Sequence, residues 1–201
     1  ISGFTITNSY AAYDGGGIFA NSASAVLTNC VIAGNVAADQ GGGVHRCTLY
    51  NCMLSDNVAS NQGGATIRSV LFNSVVKNNV ALNTGGGLQG GAAYNCLVID
   101  NVASNEGGGT RATMSVNCTI IGNEAGTIGG GSFKTGTRVD RNCIAWNNTA
   151  PTNANIHTIW PTINNCSPDV IHGVAGSITN APMFVDALSG DYRLMSNSPC
   201  I

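Results

Sequence analysis

Residues 51–72 read NCMLSDNVASNQGGATIRSVLF, residues 73–94 read NSVVKNNVALNTGGGLQGGAAY, and residues 95–116 read NCLVIDNVASNEGGGTRATMSV. The three stretches agree column by column at a step of 22 residues, and the agreement extends in both directions. Asn followed by Cys or Ser stands at Asn29-Cys30, Asn51-Cys52, Asn73-Ser74, Asn95-Cys96 and Asn117-Cys118. A second Asn column runs through Asn35, Asn57, Asn79, Asn101 and Asn123, with Ala two residues later and a Gly block opening at Gly41, Gly63, Gly85, Gly107 and Gly129. Asn142-Cys143 and Asn165-Cys166 continue the first column at spacings of 25 and 23 residues. Such a period marks a repeat architecture. Short β-forming runs such as Tyr94 to Ile99 are bounded by Gly and Asn, and helical periodicity is absent.

These features predict an all-β chain folded as a single-stranded right-handed parallel β-helix, or β-solenoid, with about nine coils stacked ~4.8 Å apart. The right hand rests on the crossover rule for parallel strands together with the resemblance given below, not on the period. Residues 1–150 read as regular coils and 151–201 as irregular coils closing the same β-helix, one domain overall. Gly suits positive φ and close approach of coils. Asn tolerates left-handed backbone, and its amide can bond to the Asn above and below, as an asparagine ladder.

Strict alternation from an inward Cys52 places Tyr50, Cys52 and Leu54 inside, then Phe72, Ser74 and Val76, then Tyr94, Cys96 and Val98. The outward positions then read Val31, Met53, Val75, Leu97 and Thr119, followed by Ala33, Ser55, Lys77, Ile99 and Ile121. Two explanations of so apolar an outer face stay open: the chain's own tail covers it, or a partner does. Cys30, Cys52, Cys96, Cys118, Cys143 and Cys166 share one column and are expected as a ladder of free buried thiols, with Cys47 and Cys200 outside it.

Charged residues make up only 9% of the 201 residues, net charge is −2, and Lys plus Arg total 8, so there is no electrostatic footprint for nucleic acid. No apolar run approaches the ~20 residues of a membrane-spanning helix, so no membrane insertion by this segment is expected. Gly contributes 27 residues and Asn 25, so uncharged residues supply the polarity. Residue 1 is Ile and no targeting signal is present, which reads as a portion of something longer.

The search for chemistry is mostly negative, and no cofactor or metal is expected. Gly85, Gly87 and Gly90 match a dinucleotide-binding spacing but lie in a repeating turn with no helix after it. His45, Cys47 and Cys52 lack the spacing of a zinc site. Asp56 and Asp100 share a column about 10 Å apart, near the separation used by inverting glycosidases, with Asn78 between them; solvated turn carboxylates are the simpler account. Arg46, Arg68 and Lys134 form an outward basic column with Arg111 beside it. His45, His157 and His172 read as surface or loop residues, and Trp146, Trp160 and Tyr10 are too scattered to form a sugar-stacking platform.

The pairing of Leu54-Ser55-Asp56-Asn57 with Gly63-Gly64-Ala65, and of Ile120-Ile121-Gly122-Asn123 with Gly129-Gly130-Gly131, resembles the repeats of right-handed parallel β-helix surface proteins. It is similar in particular to polymorphic outer-membrane and autotransporter passenger repeats, with Val, Ile or Leu where that motif usually has Phe. The ending, from Gly176-Ser177-Ile178-Thr179 to Ser198-Pro199-Cys200-Ile201, resembles the closing coils of large bacterial secreted β-helix proteins. The resemblance implies a bacterial extracellular or cell-surface location and a non-catalytic structural module, an adhesin or self-assembling fibre segment. The alternative it carries is a polysaccharide lyase or glycoside hydrolase of the pectin-cleaving type. Expected partners are the chain itself, head to tail and laterally, or host and matrix glycans. The self-association residues would be Ile1, Phe4, Ile6 and Ile201 at uncapped ends and Met53, Val75, Leu97, Ile99 and Ile121 on the apolar side.

Overall fold

A computed structural model describes residues 1–21, 25–160 and 162–201. Among these residues, parallel strands two to three residues long stack into four ladders and make a β-solenoid of about seven turns rather than nine. One ladder carries Thr5–Thr7, Val31–Ala33, Met53–Ser55, Val75–Lys77, Leu97–Ile99, Thr119–Ile121 and Ile144–Trp146. The others follow in each coil, as in the coil that continues from Val75–Lys77 through Val80–Ala81, Leu88–Gln89 and Ala92–Tyr94. Pairing joins residues 22 apart, such as Val76 with Val98 and Leu71 with Ala93.

The corners explain why these residues fold this way. Asn73 and Asn95 adopt φ of 49° and 53°, Asn78 and Asp100 of 55° and 53°, and Gly85 of 68°. Asn and Asp enter this left-handed region at lower cost than other side chains, and Gly enters freely. Each left-handed residue also resets the inside–outside alternation. Leu49 and Cys52 are therefore both buried, while Tyr50 and Asn51 between them face out. This overturns the expectation that Tyr50, Phe72 and Tyr94 point inward. They stack on the outer surface, with ring centroids 4.8 and 5.0 Å apart.

The Gly block serves two ends. Gly85 supplies positive φ, whereas a Cβ on Gly86 would lie 2.4 Å from the carbonyl oxygens of Gly108 and Val102. That contact is far inside van der Waals distance, so only glycine lets adjacent coils stack there.

Inside, Ile32, Leu54, Val76, Val98, Ile120 and Ala145 form one apolar column. Beside it the second Asn column is fully buried. Asn79 Nδ2 donates to Asn101 Oδ1 at 2.9 Å and to the carbonyls of Leu54 and Lys77, while Asn79 Oδ1 accepts from the backbone N–H and the amide of Asn57. The pattern repeats from Asn35 to Asn148, so each side chain satisfies backbone groups that the corner leaves unpaired. Two shallower ladders, Asn73–Asn95–Asn117–Asn142 and Asn61–Asn83–Asn105, run along the outside.

The C-terminal quarter departs from the period. Asn142 and Asn164 hold the same left-handed corner, at φ 51° and 50°, and Ile144 pairs with Cys166. Asn165, not Cys166, therefore occupies the inward thiol column, where its Oδ1 accepts from the Cys143 N–H at 2.8 Å. One residue of slip exchanges the two faces of a strand. Cys166 is thus displaced from the expected free-thiol ladder to the outer column and forms a disulfide with Cys200. The remaining six cysteines, Cys47 included, are free and buried. Beyond this coil, Phe184–Asp186 and Asp191–Leu194 pair as an antiparallel hairpin.

Candidate functional site

The outward column Val31, Met53, Val75, Leu97, Thr119, Ile144 and Cys166 is the most distinctive surface of the chain. Parallel pairing keeps its members one coil apart, and they are half-buried except for Cys166, which is buried. The tail lies along its C-terminal half. Gly190, Asp191, Tyr192 and Arg193 share a cleft with Asn95, Leu97, Asn117 and Thr119, while Pro199 to Ile201 face Asn142 to Ile144 and Asn164 to Cys166. The Tyr192 hydroxyl is raised above its ordinary pKa by this burial and by the Asp100 carboxylate. The tail thus runs beside one half of the stripe, and Val31, Met53 and Val75 lie beyond it, half-buried like Leu97, Thr119 and Ile144.

Of the remaining self-association candidates, Ile99 is half-buried and faces out, whereas Ile121 is only 4% exposed. Ile121 lies between Ile99 of the preceding coil and the half-buried Trp146 of the next, and is withdrawn from the expected outer stripe. Ile1 and Phe4 are 67% and 60% exposed on the first coil, Ile6 is half-buried against the core, and Ile201 is 80% exposed.

The titratable groups are scattered. Asp56 and Asp100 occupy exposed left-handed corners with Asn78 between them. Among the described residues no group of three His, Cys, Asp or Glu side chains could hold a metal ion. Arg46 and Arg68 lie at the surface and Arg111 pairs with Glu106 at 2.8 Å, but Lys134 leaves the expected outward column entirely. It is enclosed with Asp140 at 2.8 Å, and its Nζ also donates to Thr110 Oγ1, Ser115 Oγ and the Thr113 carbonyl. Ser132 Oγ donates to Asp140 Oδ2 at 2.7 Å. The inward column here shrinks from Leu71 to Ala93 to Ser115 before reaching Asp140, which opens room for the lysine chain.

His45 is not a surface residue either. It is 4% exposed, stacks on Phe19 at 4.8 Å and holds Nε2 3.6 Å from Asp14 Oδ2, while its buried Nδ1 meets no hydrogen-bond partner among the described residues. Desolvation lowers its pKa, against the opposing pull of Asp14. His157 stacks on Phe133 at 4.9 Å and contacts the Asn153 amide, and exposed His172 accepts from the Thr179 N–H.

No protein-family model, curated protein or solved structure matches the chain. Its chemistry must be argued from its own residues. Most thiols are held away from reaction: burial pushes the Cys47 thiol up to about 11 and raises Cys52 and Cys143 as well. The outer aromatic row spends ring faces on one another, Tyr50 on Phe72 and Phe72 on Tyr94. Sequence reasoning missed the Lys134–Asp140 pair and the Cys166–Cys200 bridge. The signals available were the three extra residues between Cys118 and Cys143 and the doubled Asn at 164–165.

Proposed function

We propose that this chain is a non-catalytic structural module of a cell-surface or extracellular bacterial protein, an adhesin or self-assembling fibre segment. The observation that carries the reading is where the repeated polar residues spend their bonds. The Asn35-to-Asn148 amides bond to the next rung and to backbone carbonyls inside the coil, so these repeated side chains are spent on building length. The Cys166–Cys200 disulfide supports an oxidising location outside the cytoplasm. Contacts with a second copy or with host and matrix glycans would use the outer surface, where Val31, Met53 and Val75 continue the covered stripe.

The experiment is incubation with polygalacturonate and calcium, followed by release of unsaturated or reducing ends. No cleavage is expected. Cleavage abolished by Asp100→Ala would replace this reading with the pectin-cleaving alternative.

A further inference from the structure

We propose that residues 181–201 form a strap latched over the outer stripe by the Cys166–Cys200 disulfide, and that a dithiol reductant releases it without unfolding the coils. Three observations converge. First, among the described residues the hydrogen bonds of this segment stay within it, such as Met195 N–H to the Met183 carbonyl and Ser198 N–H to the Met195 carbonyl. The coils, by contrast, are cross-bonded at every rung. Second, the strap is thinly packed: Leu188 is fully exposed, Val185 and Met195 are 44% and 41% exposed, and only Pro182 and Ser198 are buried. A cleft of about 410 Å³ separates Tyr192 and its neighbours from Leu97 and Thr119. Third, Cys166 and Cys200 line a surface cavity of about 300 Å³, and Cys200 is half-buried, so a small thiol can reach the bridge. Five of the other cysteines are buried in the coils elsewhere, and Cys143, only 1% exposed, lines the same cavity as the bridge.

The chemistry closes. A thiolate of the dithiol attacks the Cys200 sulfur, the Cys166–Cys200 bond breaks, and Cys166 leaves as a thiolate that takes a proton. The second thiol of the reductant then displaces Cys200, giving a cyclic disulfide and a second protein thiol, a two-electron exchange. A bridge that joins a weakly held segment to a rigid body contributes most of that segment's local stability, because little else opposes its opening. Release would uncover Leu97, Thr119 and Ile144 and join them to Val31, Met53 and Val75 as one continuous stripe.

The test is hydrogen–deuterium exchange of the intact 201-residue chain, oxidised and after dithiothreitol, with peptide mapping to verify the bridge. Reduction should speed exchange at 184–194 at least tenfold and leave the coils at 31–125 unchanged. Cys200→Ser should show the fast exchange without reductant. Unchanged exchange at 184–194 after reduction would overturn the proposal. So would the absence of a Cys166–Cys200 peptide from the oxidised protein, or loss of protection across the coils, which would make the bridge a staple of the whole fold.

Discussion

The coils between Val31 and Ala125 and the segment that follows them solve the same problem differently. In the coils, every rung has the same length, so each buried corner Asn meets its own kind 22 residues on, as Asn57 meets Asn79. After Ala125 the rungs change length. Three extra residues before Cys143 bring in a buried ion pair, and the last rung of the Asn ladder comes from Asn155, seven residues after Asn148, with the Asp169 carboxylate accepting the N–H groups of Asn155 and Ile156. Repetition makes satisfaction of the buried Asn amides automatic. Once the repetition stops, each group needs its own partner, and charges and a disulfide appear.

The contrast is broken most severely at the glycines. Gly86→Ala places a Cβ 2.4 Å from two backbone oxygens of neighbouring rungs, and we expect loss of cooperative unfolding in urea. Gly136→Ala, in the extra residues, meets nothing within 4 Å and pays only for its φ of 66°, about 1 kcal/mol by the same measurement. Next, Asn79→Ala strands buried donors and acceptors on two adjacent rungs and should cost about 3 kcal/mol or more, since each orphaned group costs ~1–3 kcal/mol.

Lys134→Met leaves Asp140 as an unpaired buried charge, an expected loss of about 3–5 kcal/mol that the Lys134→Met/Asp140→Leu double variant should largely recover. A double variant no better than the single one would mean that the pair itself holds the loop.

A smaller effect depends on pH. His45 has a folded-state pKa below its ordinary value of 6.5, so the unfolded chain binds more protons than the folded one as pH falls beneath 6.5. Stability from this site is complete above 6.5 and is lost on acidification through the folded-state pKa. Desolvation sets this direction; Asp14 opposes it, and Arg46 and Arg68 add to it. His45→Phe keeps a stack on Phe19 and should flatten that part of the stability–pH curve. Least of all, Tyr94→Ala removes one outer ring from the Phe72 stack and should cost about 1 kcal/mol.

The period, the asparagine ladder and the thiol column at Cys52, Cys96 and Cys118 were legible because stacking repeats them. Side-chain direction was legible only within a strand. Tyr50 was misplaced because the left-handed Asn51 restarts the alternation, and spacing alone does not reveal a backbone angle. Cys166 was misplaced because either Asn164 or Asn165 fits the corner in sequence, and only pairing with Ile144 decides between them. Lys134 shares a column with the surface residues Arg46 and Arg68, and its burial arises from a shrinking neighbouring column, whereas His45 stacks on Phe19 and heads a column that continues through buried Ile67 and Gln89.

If one 22-residue unit equals one coil, a chain lacking residues 79–100 keeps the fold, which urea unfolding measures. The junction sets Asn78 before Asn101 and restores every column. A single cooperative transition is expected, with an m-value smaller by roughly a tenth, because m scales with the surface exposed on unfolding. Loss of that transition, or its survival when only residues 90–100 are removed, would contradict it.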